Sequence, residues 1–117
     1  MKSSHYIVFN NGYKIYLSFK KTFWQRLKGL LGEKKLMGWQ GVVLVGSKQI
    51  HTLGMKFPID IVVMDKENRV IDFVGNFQPN RISRFYRNAK YIIELGVGEE
   101  NKKLFKIGEK IVFAKLI

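Results

Sequence analysis

Residues 50–65 read Ile-His-Thr-Leu-Gly-Met-Lys-Phe-Pro-Ile-Asp-Ile-Val-Val-Met-Asp, and this stretch decides the fold. Its second half, Ile59 to Met64, is apolar except for Asp60 and rich in β-branched residues, which predicts a buried β-strand. Its first half places His51 and Thr52 in a loop ahead of that strand. If the protein holds a small molecule, we expect its site in this loop.

Six further segments have the pattern of strands. The first two are separated by Asn11-Gly12, which predicts a tight hairpin because both residues tolerate a positive φ angle. In the second segment every other residue from Tyr13 to Phe19 is apolar, so these side chains share one face of a sheet. The predicted strands cover residues 6–9, 13–19, 41–45, 70–74, 91–95 and 110–116.

The periodicity changes after the second strand. Thr22 and Gln25 match a capping box, and apolar residues at helical spacing follow them, so we predict one short helix over residues 23–31. Six to seven strands with one short helix indicate a mainly β domain (α+β by count), built as a small β-barrel or sandwich. A length of 117 residues suits a single domain over residues 1–117.

The composition excludes several kinds of site. The chain has no cysteine, which rules out disulfides, iron–sulfur clusters and thiolate zinc sites. A zinc site needs three or four ligands, and the two histidines with scattered carboxylates make such a set improbable. We therefore expect no metal and no cofactor.

The net charge is +12, from 21 basic and 9 acidic residues. Such an excess favours anionic partners, although lysines scattered over a solvated surface give the same total. The apolar run near the N-terminus is too short for a signal peptide, and no run approaches the ~20 apolar residues of a membrane span. We expect a cytoplasmic protein without a membrane span, and a monomer.

Three blocks of the sequence resemble one family. They are Arg-Leu-Lys-Gly-Leu-Leu-Gly at residues 26–32, the His-Thr-Leu-Gly-Met-Lys-Phe-Pro-Ile-Asp signature at residues 51–60, and residues 89–98 around Ile-Ile-Glu-Leu. They are similar, in the same order, to those of the DUF192 family of small bacterial and archaeal proteins. The resemblance implies a compact, mainly β domain and supplies no reaction. Many members have Pro-Cys where this chain has Gly46-Ser47.

Seven residues in or near these blocks are candidates for a ligand pocket. His51 and Asp60 could exchange a proton or bind a polar ligand, and the planar guanidinium of Arg26 suits a carboxylate or phosphate. Trp39 and Met55 would form an apolar floor, unless they simply pack in the core. The full set is Arg26, Trp39, His51, Thr52, Met55, Asp60 and Glu94.

Three of these residues also have structural explanations. His51 could bind only backbone, and Asp60 could be a latch whose partners are Arg26, His51 or the amides of residues 52–56. We favour the latch for Asp60. Alternation along the strand puts Ile92 and Glu94 on one face, where Glu94 is either solvated or paired with Arg26.

A second candidate surface lies between the fifth and sixth predicted strands. No acidic residue falls between positions 76 and 93, and cations alternate there with aromatic rings. That alternation suits contact with the phosphates and bases of single-stranded nucleic acid. In the structural alternative the two aromatic rings dock onto the sheet and the loop is merely solvated. The residues are Arg81, Arg84, Phe85, Tyr86, Arg87 and Lys90.

Three functions follow, in this order. The first is a non-enzymatic protein, an accessory or small-ligand-binding domain, whose pocket around residues 51–60 holds a polar or anionic ligand. The alternative is binding of nucleic acid or another polyanion through residues 81–90. Hydrolysis by His51 and Asp60 ranks last. A triad of Ser47, His51 and Asp60 is discounted, because Ser47 has no Gly-x-Ser-x-Gly elbow around it. We expect a binding protein rather than an enzyme.

Overall fold

Seven strands form one sheet in the computed structural model, which describes residues 2–22, 25, 30 and 32–117. The described part also contains one short helix, α1, at Asn101–Leu104. The strands are β1 His5–Val8, β2 Lys14–Lys20, β3 Gln40–Val45, β4 Ile59–Met64, β5 Val70–Phe77, β6 Tyr91–Gly96 and β7 Ala114–Lys115.

The strand order is β5-β4-β6-β3-β2-β1-β7, with β2 and β3 parallel and the other neighbours antiparallel. The prediction of a mainly β fold is confirmed. The barrel part of that prediction is wrong for the described residues, because the sheet is open with β5 and β7 at its edges. Only Ala114 and Lys115 of the predicted last strand pair with β1. Lys110, at its start, forms an isolated bridge with Arg69, just before β5.

Both faces of the sheet are covered by apolar side chains, as alternation along buried strands requires. β4 is buried along its whole length, as its sequence predicted. The first face carries Ile7, Ile15, Leu17, Val43, Val62, Met64, Ile93 and Leu95. The second face carries Val42, Leu44, Ile59, Ile61, Val63 and Ile92, and residues of the connecting loops pack on them.

Most of the predicted helix 23–31 lies outside the described residues. The capping box ahead of it is present: the Gln25 amide donates to Thr22 Oγ1 at 3.1 Å, and the Thr22 amide donates to Gln25 Oε1 at 3.2 Å. Leu30 is buried against the second face. The position of the capping box and the burial of Leu30 agree with the pattern that predicted the helix.

β5 is three residues longer than its sequence indicated. It continues through Gly75 and Asn76 to Phe77, although these residues are poor strand formers. The Asn76 amide donates to the Asp60 carboxylate at 2.8 Å, and Asn76 adopts a φ angle of 52°. The strand is therefore extended by a contact with β4 that its own sequence cannot reveal.

Candidate functional site

Asp60 is a latch, as we favoured, but its partners differ from those predicted. The carboxylate is buried and accepts hydrogen bonds from the Asn76 amide, from the Gly98 amide at 3.1 Å and from Asn101 Nδ2 at 2.9 Å. Asn101 Nδ2 also donates to the Gly96 carbonyl at 2.9 Å. Three donors around one buried carboxylate compensate for its lost hydration. Asp60 thus ties the ends of β4, β5 and β6 to α1.

The loop ahead of β4 is fixed by Thr52. Its hydroxyl donates to the Gln78 carbonyl at 2.7 Å and accepts from the Arg81 amide at 3.0 Å, and its own amide donates to the Arg81 carbonyl. Thr52 is completely buried. His51 Nδ1 accepts from the Leu53 amide at 3.3 Å, and His51 forms an isolated bridge with Ile82. The loop is therefore bound to the segment that follows β5.

The acid–base pair required for hydrolysis is not formed between His51 and Asp60. The hydrogen bonds described for His51 go to backbone, and the Asp60 oxygens are taken by three other donors. Without a hydrogen bond the two groups cannot share a proton. This geometry gives the hydrolase hypothesis no support.

Met55 and Trp39 have different environments. Met55 is buried in the apolar cluster of the second face, where it serves the core. Trp39 is 43% exposed and packs edge-on against Tyr16, with ring centroids 6.2 Å apart. Trp39 immediately precedes β3.

Glu94 is buried and lies on the second face, because it alternates with Ile93 and Leu95 of the first. The solvated alternative is therefore wrong. Burial raises the pKa of its carboxyl from 4.5 to about 8. Among the residues that the structure describes, none hydrogen-bonds to this carboxyl. Arg26 lies outside the described residues, so the Arg26–Glu94 pair stays a prediction.

The pocket candidates are not gathered in one place. The Asp60 side chain lies on the first face of the sheet, since its neighbours Val62 and Met64 do, whereas Glu94 and Met55 lie on the second. Two carboxyl groups on opposite faces of a sheet cannot line one pocket. The small-ligand pocket stays a prediction, limited to the surroundings of His51 and Thr52.

Residues 81–90, here called the basic segment, carry exposed side chains on a backbone that three buried residues hold in place. The anchors Ser83, Tyr86 and Ala89 are buried. The Ile50 amide donates to Ser83 Oγ at 2.9 Å, and the Tyr86 amide donates to the Lys48 carbonyl at 2.6 Å. The other side chains of the segment are exposed: Arg81, Ile82, Arg84, Phe85, Arg87, Asn88 and Lys90.

The two aromatic residues of the basic segment have opposite environments. Tyr86 docks onto the sheet, as the structural alternative predicted, and its hydroxyl donates to Asp72 Oδ2 at 2.5 Å. Burial, followed by that hydrogen bond, raises the pKa of Tyr86 well above its usual range. Phe85 does not dock, and 61% of its surface is exposed. The Arg84 guanidinium lies 5.1 Å from the centroid of the Tyr86 ring.

Lys48 belongs to this surface and was missed by the sequence analysis. Its Nζ donates to the Arg87 carbonyl at 3.0 Å and to the Ala89 carbonyl at 2.9 Å. These contacts span about forty positions of sequence, so no local pattern could have indicated them. The sequence analysis also missed Leu53 and Ile82, whose apolar side chains are exposed.

The cations of the basic segment are not neutralised within the described part of the chain. There, no carboxylate comes within 4.0 Å of a lysine or arginine nitrogen. Asp72, which faces this region, accepts from Tyr86 and from the Phe73 amide. The described residues also contain no cluster of three metal-ligating side chains and no helix long and apolar enough to cross a membrane.

Comparisons with known proteins identify relatives but no activity. The model of the DUF192 family, described as an uncharacterized ACR, matches residues 6–113. No curated protein matches the sequence.

Two solved structures share the fold. One is a protein of unknown function from Novosphingobium aromaticivorans DSM 12444, with 16% identity and a TM-score of 0.78 over 93% of this chain and 83% of that one. The other, described as "a putative transcription regulator" from Sinorhizobium meliloti 1021, has 15% identity and a TM-score of 0.76 over 97% of this chain and 94% of that one. At such identities the likeness concerns the fold alone.

Proposed function

This chain belongs to the DUF192 family, for which no activity is described, and from its own surface we propose that it binds single-stranded nucleic acid through the basic segment. One observation carries the proposal. The arginines at positions 81, 84 and 87 and the ring of Phe85 are all exposed within one segment, whose backbone is held by the buried residues Ser83, Tyr86 and Ala89.

Charge supports an anionic partner. The guanidinium groups of Arg81, Arg84 and Arg87 and the ammonium of Lys90 have no carboxylate within ion-pair distance among the described residues. Unpaired cations on one surface attract a polyanion and raise its rate of association. A guanidinium also binds phosphate through two parallel hydrogen bonds, which a lysine cannot do.

Phe85 supports a single strand over a duplex. Its ring is exposed and follows Arg84 in the sequence, and Ile82 of the same segment is 63% exposed. Base–aromatic stacking contributes about 1–3 kcal/mol for each base, and only an unpaired base offers a free face. A duplex would meet the cations through its phosphates but would leave the Phe85 ring in water.

The fixed backbone of the basic segment supports tight binding. Ser83, Tyr86 and Ala89 are held by hydrogen bonds to Ile50, Asp72 and Lys48, so little backbone freedom remains to be lost on binding. In this proposal Tyr86 is a positioning residue and not a stacking one, because its ring is only 7% exposed. The Arg84 guanidinium lies over the Tyr86 ring.

Affinity for a fluorescent oligothymidylate, measured over a salt series, tests the proposal. The variant replaces Arg81, Arg84 and Arg87 by alanine, and the matched control replaces Lys102, Lys103 and Lys106, which are exposed at and after α1. Both variants lose three charges. Because a single strand releases about 0.7 counterions for each phosphate contact, the arginine variant should lower the slope of log K against log salt by about 2.

The control should keep the slope and affinity of the unmodified protein within about twofold. A similar loss in both triple variants would mean that net charge alone is responsible, and the basic segment would not be a site. Tighter binding of heparin or of duplex DNA than of the single strand would also overturn the proposal.

A further inference from the structure

Two further lysines and a histidine lie at the same end of the sheet as Lys90. The Cα positions of Lys115 in β7 and His5 in β1 are directly paired, and Lys21 immediately follows β2. The pKa of His5 is lowered, first by burial and then by the charges of Lys115 and Lys21. We call His5, Lys21 and Lys115 the distal patch.

The strand register places the distal patch at the same end of the sheet as Lys90, the last residue of the basic segment. Lys20 of β2 pairs with Leu44 of β3, and the next residue of β3, Val45, pairs with Tyr91 of β6. Lys90 immediately precedes Tyr91. The ends of β6, β3 and β2 therefore form one rim, with Lys90, the last residue of the basic segment, at one side and the distal patch at the other.

Half-buried aromatic rings lie between Lys90 and the distal patch along this rim. Lys90 Nζ lies 5.3 Å from the Tyr91 ring, whose centroid is 6.4 Å from that of Phe19. The Phe19 ring is in turn 4.1 Å from the imidazole of His5. Phe113 packs edge-on against both Phe19 and Tyr91.

We propose that the distal patch is a second contact site for the nucleic-acid strand, so that one track leaves the basic segment on the second face at Lys90 and crosses the end of the sheet, past the aromatic rings on the first face, to Lys115. This inference rests on the proposed function. From β6 through β3, β2 and β1 to β7 there are four strand spacings of about 4.8 Å, or roughly 19 Å in all. A strand that leaves the basic segment must be several nucleotides longer to reach Lys115.

The carboxylate of Asp65 does not neutralise the lysines of this track. Asp65 follows β4 at the same end of the sheet, and its Oδ1 accepts from the amides of Glu67 and Arg69 in the β4–β5 turn. Within the described residues neither Lys21 nor Lys115 has an ion-pair partner. Both cations are exposed and free to contact phosphate.

Oligothymidylates of about 5 and about 16 nucleotides, which bracket the site sizes of single-domain strand binders, test the track. The double variant Lys21→Ala, Lys115→Ala is compared with the double control Lys102→Ala, Lys103→Ala. We expect the double variant to bind the longer strand at least fivefold more weakly than the control does. Both should bind the shorter strand equally well.

The possible results separate the track from the proposed function. If both double variants bind both lengths equally, the distal patch is not a contact and only the track is overturned. If the double variant weakens the shorter strand as much as the longer one, the two patches do not act as one extended track. If the unmodified protein binds neither strand at low salt, the proposed function and the track are both overturned.

Discussion

Lys48 Nζ donates a hydrogen bond to the Ala89 carbonyl at 2.9 Å, and so it joins the turn after β3 to the end of the basic segment. A second bond to the Arg87 carbonyl completes the clamp. The contribution of Lys48 is therefore geometric: its ammonium fixes the backbone from which Arg87 and Lys90 project. Lysine is suited to this role because its three donors can reach two carbonyls at once.

Replacing Lys48 by methionine should loosen the basic segment without unfolding the protein. Amide hydrogen exchange at Ala89 and Lys90 should become faster, because the clamp no longer holds their backbone against the sheet. Lys56→Met removes the same charge from an exposed position, for which no hydrogen bond is described, and should leave these amides protected. Equal protection in the two variants would show that the clamp has no effect on the backbone.

The sequence predicted the strands well and the environments of the polar residues poorly. Strand β4 has the bounds read from its apolar run, and the alternation that put Ile92 and Glu94 together is confirmed. Periodicity assigns a side chain to a face, but it does not reveal what covers that face. For this reason Glu94 could be read as solvated, although only 3% of it is exposed.

Long-range contacts account for the other differences. The Asp60 carboxylate receives donors from positions 76, 98 and 101, and none of these lies in its own sequence neighbourhood. The same contact extends β5 beyond its apolar residues. The basic segment was recognisable, because it is a local run of cations and aromatic rings. The hydrogen bonds that Lys48 donates to this segment were not recognisable from the sequence.

Thr52→Val should destabilise the protein by about 1–3 kcal/mol. Valine keeps the shape of the side chain but leaves the Gln78 carbonyl without its hydroxyl donor and the Arg81 amide without its acceptor. Urea unfolding measures the change. Thr52→Ser keeps the hydroxyl and should cost clearly less. If serine and valine were equally destabilising, packing and not the hydrogen bonds of the hydroxyl would explain the role of Thr52.

Asp60→Asn should cost about 2–3 kcal/mol of unfolding free energy. All three partners of the Asp60 carboxylate are donors, so an amide nitrogen at one of its oxygen positions would face a donor. The matched control is Asp65→Asn in the turn after β4. There a single oxygen, Oδ1, accepts both amide bonds, and asparagine can supply that oxygen. A loss at Asp60 no larger than the loss at Asp65 would contradict the latch.

Glu94 should make the protein less stable as the pH rises. The pKa of this carboxyl is about 8 in the folded protein and 4.5 when solvated, so the unfolded chain releases the proton first. Its contribution to stability is complete below about pH 4.5 and falls by at most about 1.4 kcal/mol per pH unit until about pH 8.

Glu94→Gln removes this titration and leaves every other group in place. The unfolding free energy of the variant minus that of the unmodified protein should therefore increase between pH 5 and pH 8, as measured by urea unfolding at a series of pH values. A constant difference would mean that Glu94 is ionised in the folded protein. That result would favour the predicted pair with Arg26.

The most direct test of nucleic-acid binding is a nuclear magnetic resonance titration of the labelled protein with oligothymidylate, followed residue by residue at low and high salt. We predict that the largest shifts fall on the amides and side chains of residues 81–90 and on Lys48, and that they fade as salt is added, because released counterions drive the binding. Shifts confined to the surroundings of Trp39, His51 and Met55, or the absence of any shift at low salt, would contradict it.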